Sequence, residues 1–174
     1  MGIEESRGEF LAGLIGRYAR RDSAILEIGC KSGKNLHPLS AAGYGNLTGL
    51  EEDSKRLERL DSLFPGLTDR ARVIDGPVAR RIRDFDNGEF DLVFTVGYFE
   101  GDTGQEGLLD EMARVAGRFV LTIEDEREAP GGTSRSYRPE FESRGFEQVE
   151  EIDVSRETDL GSVFFARVFA RRVR

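Results

Sequence analysis

Ala24-Ile25-Leu26-Glu27-Ile28-Gly29-Cys30-Lys31-Ser32-Gly33 is the stretch on which the fold turns. Residues 24–28 form a short apolar run interrupted only by Glu27, the length of a buried strand. Gly29 and Gly33 break that strand, and Leu36, Leu39 and Ala42 then recur at helical spacing, so the segment reads as strand, tight loop and helix. The same unit repeats downstream. Leu47 to Glu51 predicts a second strand, after which Asp53 caps a helix carrying Leu57, Leu60 and Leu63 that stops at Phe64-Pro65-Gly66. Ala71 to Asp75 predicts a third strand, Val78 to Phe85 a short helix and Asn87-Gly88 a turn. Asp91 to Val96 is almost wholly apolar, as a central parallel strand covered on both faces must be. Gln105 to Ala116 follows as a helix and Phe119 to Ile123 as a fifth strand.

Beyond this alternation, residues 125–136 read as a surface loop and Pro139 to Ser143 as a short helix. Phe146 to Val154 and Ser162 to Phe169 have no helix between them and predict an antiparallel hairpin. Upstream, Phe10, Leu11, Leu14, Ile15 and Tyr18 predict an amphipathic helix over 8–20 packed on the sheet edge. The sum is a doubly wound α/β sheet, mostly parallel, with a C-terminal antiparallel hairpin. Such a sheet binds ligands at the carboxyl ends of its strands, near the switch in strand order.

Composition bounds the function. A chain of 174 residues, 38% hydrophobic and 33% charged, suits one folded domain over 1–174. Its apolar runs fall short of the roughly 20 residues of a membrane helix, and no secretory signal opens it, so a cytoplasmic protein without membrane contact is expected. Cys30 is the only cysteine and His37 the only histidine, which excludes an internal disulfide and a multi-cysteine zinc site, and no metal is expected. A net charge of -8 opposes a nucleic-acid surface, because phosphate contacts need clustered positive charge.

Two features carry chemistry. The glycines of 29–33 let backbone approach a ligand beside a helix start. Glu51, at the end of the second strand, presents a carboxylate suited to the two hydroxyls of a ribose. A dinucleotide fingerprint would need glycine where Lys31 and Lys34 stand, which makes a nicotinamide oxidoreductase the weakest alternative.

Taken together, these residues resemble the class I S-adenosylmethionine-dependent methyltransferases over roughly residues 22–170. Ile25 to Gly33 is similar to the family's first motif, and Gly49-Leu50-Glu51 to its ribose-binding acid. Phe90 to Val96 is similar to the strand before the active site, and Leu109 to Val115 to the helix that follows. The resemblance implies a seven-stranded Rossmann-like sheet and S-adenosylmethionine as cofactor, with S-adenosylhomocysteine as product. It implies that Gly29, Cys30, Lys31 and Gly33 line the methionine part, that Glu27 holds its amino group, and that Glu51, with Glu52 beside it, binds ribose. Gly76-Pro77 falls where many members carry an acid that binds the adenine amino group, a role for which Asp75 is the substitute, and Gly97 with Tyr98 would face the sulfonium and the acceptor.

Lys31 replaces the family's usual middle glycine, and a side chain there is tolerated if the loop keeps a negative φ, since only glycine escapes the left-handed penalty. For a hydroxyl acceptor the candidate catalytic groups are Glu100, Asp102 and Tyr98, with His37 a lesser option. A small-molecule acceptor is expected, and a homodimer that completes an open acceptor site. A narrower resemblance, on Gly29 to Leu36, Asp91 to Gly97 and Arg114 to Phe119, is to methylases associated with pseudaminic acid biosynthesis, which implies a sugar-related acceptor. The alternative in another class is a non-catalytic binding or regulatory protein of the same fold.

Overall fold

In the computed structural model, which describes residues 3–99, 106–126, 136–154 and 164–173, strand order carries the architecture. Seven strands lie in one sheet in the order β3-β2-β1-β4-β5-β7-β6. β1 (Ile25–Ile28), β2 (Leu47–Glu51), β3 (Ala71–Asp75), β4 (Phe90–Val96) and β5 (Ala116–Asp125) run parallel. β7 (Phe164–Arg171) runs antiparallel to β6 (Phe146–Asp153), as the helix-free C-terminal segment predicts, and on its other side antiparallel to β5. The chain winds outward through β1, β2 and β3, then returns to lay β4 on the other side of β1. The order therefore reverses between β1 and β4, and the crevice beyond their carboxyl ends is where such sheets take ligands.

Both faces of the sheet are covered, which is why the central strands are apolar on both sides. On one face α1 (Ile3–Ile15), α2 (Leu36–Ala41) and α4 (Leu60–Leu63) bury Leu11, Leu14, Leu39 and Leu60 with Ile25, Phe94 and Leu121. On the other, α5 (Val78–Arg81), α6 (Glu106–Val115) and α7 (Tyr137–Ser143) bury Val78, Met112 and Phe141 with Leu26, Val93 and Val120. Each such side chain contributes roughly 1.5–3 kcal/mol. No helix among the described residues is long and apolar enough to cross a membrane.

Several boundaries differ from the sequence reading for local reasons. α1 ends at Ile15 rather than near residue 20, because Arg17 and Tyr18 tighten into a turn that donates to Leu14 and Ile15 carbonyls. It also packs in the core layer with Ile25 and Phe94 rather than along the sheet edge. The helix after Asp53 is two pieces, α3 (Ser54–Glu58) and α4. β5 begins at Ala116, directly after α6, and runs to Asp125. α7 starts at Tyr137 behind the capping hydroxyl of Ser136, which leaves Pro139 in the first turn, where a missing N–H costs nothing.

Candidate functional site

The carboxyl ends of β1, β2, β4 and β5 bring together acids that the sequence places 24 to 97 residues apart. Glu27 is fully buried. Its Oε1 accepts from Asn35 Nδ2 at 2.7 Å, and its Oε2 has no hydrogen-bond partner among the described residues. Burial pushes this carboxyl up to about 8, against the opposing pull of the Asn35 hydrogen bond and of the Lys31 and Arg7 charges. A buried oxygen left without a donor is costly, so Glu27 presents an acceptor that an incoming cation or N–H would satisfy.

Glu51 is also buried, yet its carboxylate is wrapped by backbone. Oε2 accepts from Lys31 N at 2.8 Å, while Oε1 accepts from Glu52 N at 3.1 Å and Asp53 N at 2.9 Å. Three of roughly four lone-pair positions are thereby filled, which leaves one on Oε2. Arg56 stands 3.9 Å from Oε1. The wrap exists because the chain turns back on itself at Asp53, whose Oδ1 caps α3 by accepting from Lys55 N at 3.1 Å.

The loop between β1 and α2 fits closely against its surroundings. Gly49, the register partner of Glu27, has no side chain because a Cβ would meet Cys30 Sγ at 2.7 Å. Cys30 thus turns into the core, and burial together with the Glu27 and Glu51 charges holds its thiol far above its ordinary range. Gly33 packs rather than opens: a Cβ there would lie 2.7 Å from Leu67 Cδ2. Gly29, at φ +71°, carries the Tyr98 ring on its bare Cα, 2.1 Å from where a Cβ would stand.

The loop does not keep the negative φ at Lys31 under which a side chain is tolerated without strain. Lys31 stands at φ +52°, a conformation that costs a side-chain-bearing residue roughly 1–2 kcal/mol. Long-range hydrogen bonds hold it there. Its N–H serves Glu51, and its Nζ crosses to β4 and donates to Gly97 O at 3.0 Å. Gly97 itself is at φ +56° and donates its N–H to Ile123 O.

Other predicted residues fall as follows. The Glu52 side chain is exposed, and its contribution is the N–H to Glu51. Asp75, register partner of Glu51, is exposed and accepts from Ser54 Oγ at 3.0 Å. Gly76 lies under Arg81, whose Nε donates to Asp75 O at 3.0 Å and would meet a Cβ on Gly76 at 2.8 Å. His37 stacks on Phe64 with ring centroids 4.5 Å apart, so its ring packs against an apolar neighbour. Glu100 and Asp102 lie outside the described residues.

Glu124, which the sequence reading passed over, closes the site. It is buried at the end of β5, and its two oxygens accept from Tyr98 N and Phe99 N, both at 3.1 Å. Burial pushes its carboxyl up to about 7, while those amides and the Lys31 charge hold it down. With Phe99 buried against Tyr137 at 5.4 Å between centroids, Glu124 fixes the backbone that carries Tyr98. The available signal was an acid ending an apolar strand, the pattern shared by Glu27 and Glu51. At the opposite, amino ends of β1 to β4, a surface depression of about 470 Å³ is lined by Asn46, Thr48, Arg70, Arg72 and Glu89, and contains none of these residues.

The same fold recurs in known proteins. A family model described as a methyltransferase domain matches residues 25–117. No curated protein matches the chain in sequence. Among solved structures, a TehB-like SAM-dependent methyltransferase from Corynebacterium glutamicum is similar at 23% identity and a TM-score of 0.67, over 93% of this chain and 87% of that one. The magnesium protoporphyrin IX methyltransferase of Synechocystis, solved with bound SAH, is 14% identical at a TM-score of 0.74, over 98% of this chain and 83% of that one. A putative RNA methyltransferase from Pyrococcus horikoshii is 14% identical at 0.72, over 96% and 84%. At these identities the likeness is one of fold.

Proposed function

Because the chain belongs to the methyltransferase domain family, whose match takes in β1 to β4 and α6, we propose that this S-adenosylmethionine-dependent methyltransferase acts on a small-molecule acceptor through the cluster around Glu27, Glu51 and Gly97. When bound, the cofactor supplies an electrophilic methyl group that the acceptor displaces in line, and alignment with a suitable electrostatic surface provides most of the acceleration.

The residues fit the cofactor's donor groups. The unpartnered Glu27 Oε2 suits the amino group, and it is the observation that carries this reading. Glu51 keeps one acceptor position for a ribose hydroxyl after its three backbone bonds. Backbone at Gly29 allows close approach once the Tyr98 ring moves off it. Asp75, with Gly76 after it, stands at the same end of the sheet as Glu51 and is the group offered to the adenine. Tyr98, Glu100 and Asp102 are the proposed catalytic groups; of these Tyr98 is held by Glu124 through its backbone.

A small acceptor is supported by the net charge of -8, which repels polyanionic phosphate chains. The sugar-related acceptor implied by the narrower resemblance, a single domain over 1–174, a cytoplasmic setting and a homodimer belong to the same proposal. Scattering at micromolar concentration that shows only monomer removes the homodimer.

Calorimetric titration with S-adenosylhomocysteine tests the site. Wild type is expected to bind in the micromolar range, and Glu27→Gln to weaken binding about tenfold or more, the loss of one charge-assisted hydrogen bond. Wild type that binds neither donor nor product, or Glu27→Gln that binds equally well, overturns the assignment.

A further inference from the structure

Among the described residues Lys31 is the non-glycine position with a positive φ, and its side chain reaches across the switch point of the sheet. The ammonium leaves the β1 loop, crosses to the end of β4 and donates to the Gly97 carbonyl at 3.0 Å. Its charge is felt at two buried acids on either side of that carbonyl, Glu27 at the end of β1 and Glu124 at the end of β5. Lys31 thus shares with Arg7 at Glu27 and Arg56 at Glu51 the compensation of an otherwise acidic, buried cluster drawn from three strands, and of these it is the cation held on Gly97. The left-handed backbone that aims it is held by the bond from Lys31 N to Glu51, so the ammonium is carried by the same loop that wraps the second acid.

From this arrangement we propose that Lys31 is a specificity-determining residue: its ammonium is a built-in counter-cation beside Gly97 that competes with the positively charged methyl donor more strongly than with the product, whose sulfur is uncharged. The proposal rests on the reading above that the cofactor binds at the carboxyl ends of β1 and β4. Donor and product share their amino, carboxylate and adenosine groups, so contacts at Glu27 and Glu51 cancel in the ratio of their affinities. What remains is the charge on sulfur and whatever positive charge the protein keeps nearby. A glycine at 31 would place no cation there. Lysine makes the site less favourable to the donor relative to the product, and so biases the enzyme toward inhibition by its own product.

Calorimetric titration of wild type, Lys31→Met and Lys31→Gly with S-adenosylmethionine, S-adenosylhomocysteine and sinefungin, which carries an amine where the donor has its sulfonium, tests this directly. Methionine keeps an unbranched stem and removes the charge; glycine also relieves the left-handed backbone, so at least one variant folds without strain. The ratio of donor Kd to product Kd is expected to fall about tenfold in both variants, a difference of about 1.4 kcal/mol, with sinefungin following the donor. A ratio within twofold of wild type in Lys31→Met, or a ratio that rises, overturns the Lys31 proposal and leaves the cofactor site standing. Absence of binding by any of the three ligands to wild type overturns the cofactor reading and this proposal with it.

Discussion

The ends of β1 and β2 lie side by side and finish in the same kind of group, a glutamate removed from water. At the end of β2, backbone N–H groups of Lys31, Glu52 and Asp53 fill most of what the Glu51 carboxylate can accept. At the end of β1, Glu27 has one bond from Asn35 and an oxygen with nothing opposite it among the described residues. Burial is equal, so the contrast comes from backbone direction. The chain after β2 folds back over its own acid, whereas the chain after β1 leaves through Gly29 toward α2. A wrapped carboxylate is part of the loop's scaffold; an unwrapped one, raised to about 8 by burial, keeps an acceptor oxygen that faces no donor among the described residues.

The largest expected effect separates the two by stability. Glu51→Ala strips the acceptor from three partly buried backbone donors, and a hydrogen bond to a charged group contributes roughly 1.5–3 kcal/mol. Urea unfolding should show a loss of roughly 3 kcal/mol or more, with S-adenosylhomocysteine binding abolished. If Glu27→Ala costs as much, the wrapped and unwrapped acids are equivalent and the contrast fails.

A smaller effect sharpens it through pH. The folded Glu27 carboxyl titrates near 8 against an ordinary value of 4.5, so between those limits the folded state holds a proton that the unfolded state has released. Stability therefore falls as pH rises from about 4.5 to about 8, by up to roughly 1.4 kcal/mol per pH unit. Glu124, raised to about 7, adds a fall of the same sign that ends earlier. Glu27→Gln removes the first contribution only. Its stability relative to wild type should climb steadily through that window and level off above pH 8; a difference independent of pH would show that Glu27 is ionised as readily folded as unfolded.

The smallest effect concerns the turn that wraps Glu51. Asp53→Ala removes the cap on Lys55 N and should cost about 1 kcal/mol. Thermal melts should show that loss while the pH dependence due to Glu27 stays as in wild type. A change in that pH dependence would mean that the two strand ends are coupled through the loop.

Much of this region was legible because the signals are local. A short apolar run ended by glycine predicts a buried strand and a tight loop, and an acid at the end of such a run stands at the ligand end of a parallel sheet. Glu51 was found by that reasoning, and Glu27 through the family resemblance of the motif that contains it. Glu124 obeys the same rule but was missed, because its strand was read to end at Ile123, and its meaning depends on β5 lying beside β4 so that Tyr98 and Phe99 can reach it. The termination of α1 was misread because helical spacing continues to Tyr18 after the backbone has turned.

Sequence by itself determined the alternation of strands and helices, the parallel sheet with its antiparallel hairpin and the acid that ends β2, since hydrophobic periodicity and glycine placement act over a few residues. Only the tertiary structure decided which acid is wrapped and which stands open, that Tyr98 rests on Gly29, and that Lys31 is left-handed. Local sterics argue against that last conformation. It is held by hydrogen bonds to Glu51, 20 residues away, and to Gly97, 66 residues away, and interactions across that separation exist only once the strands have paired.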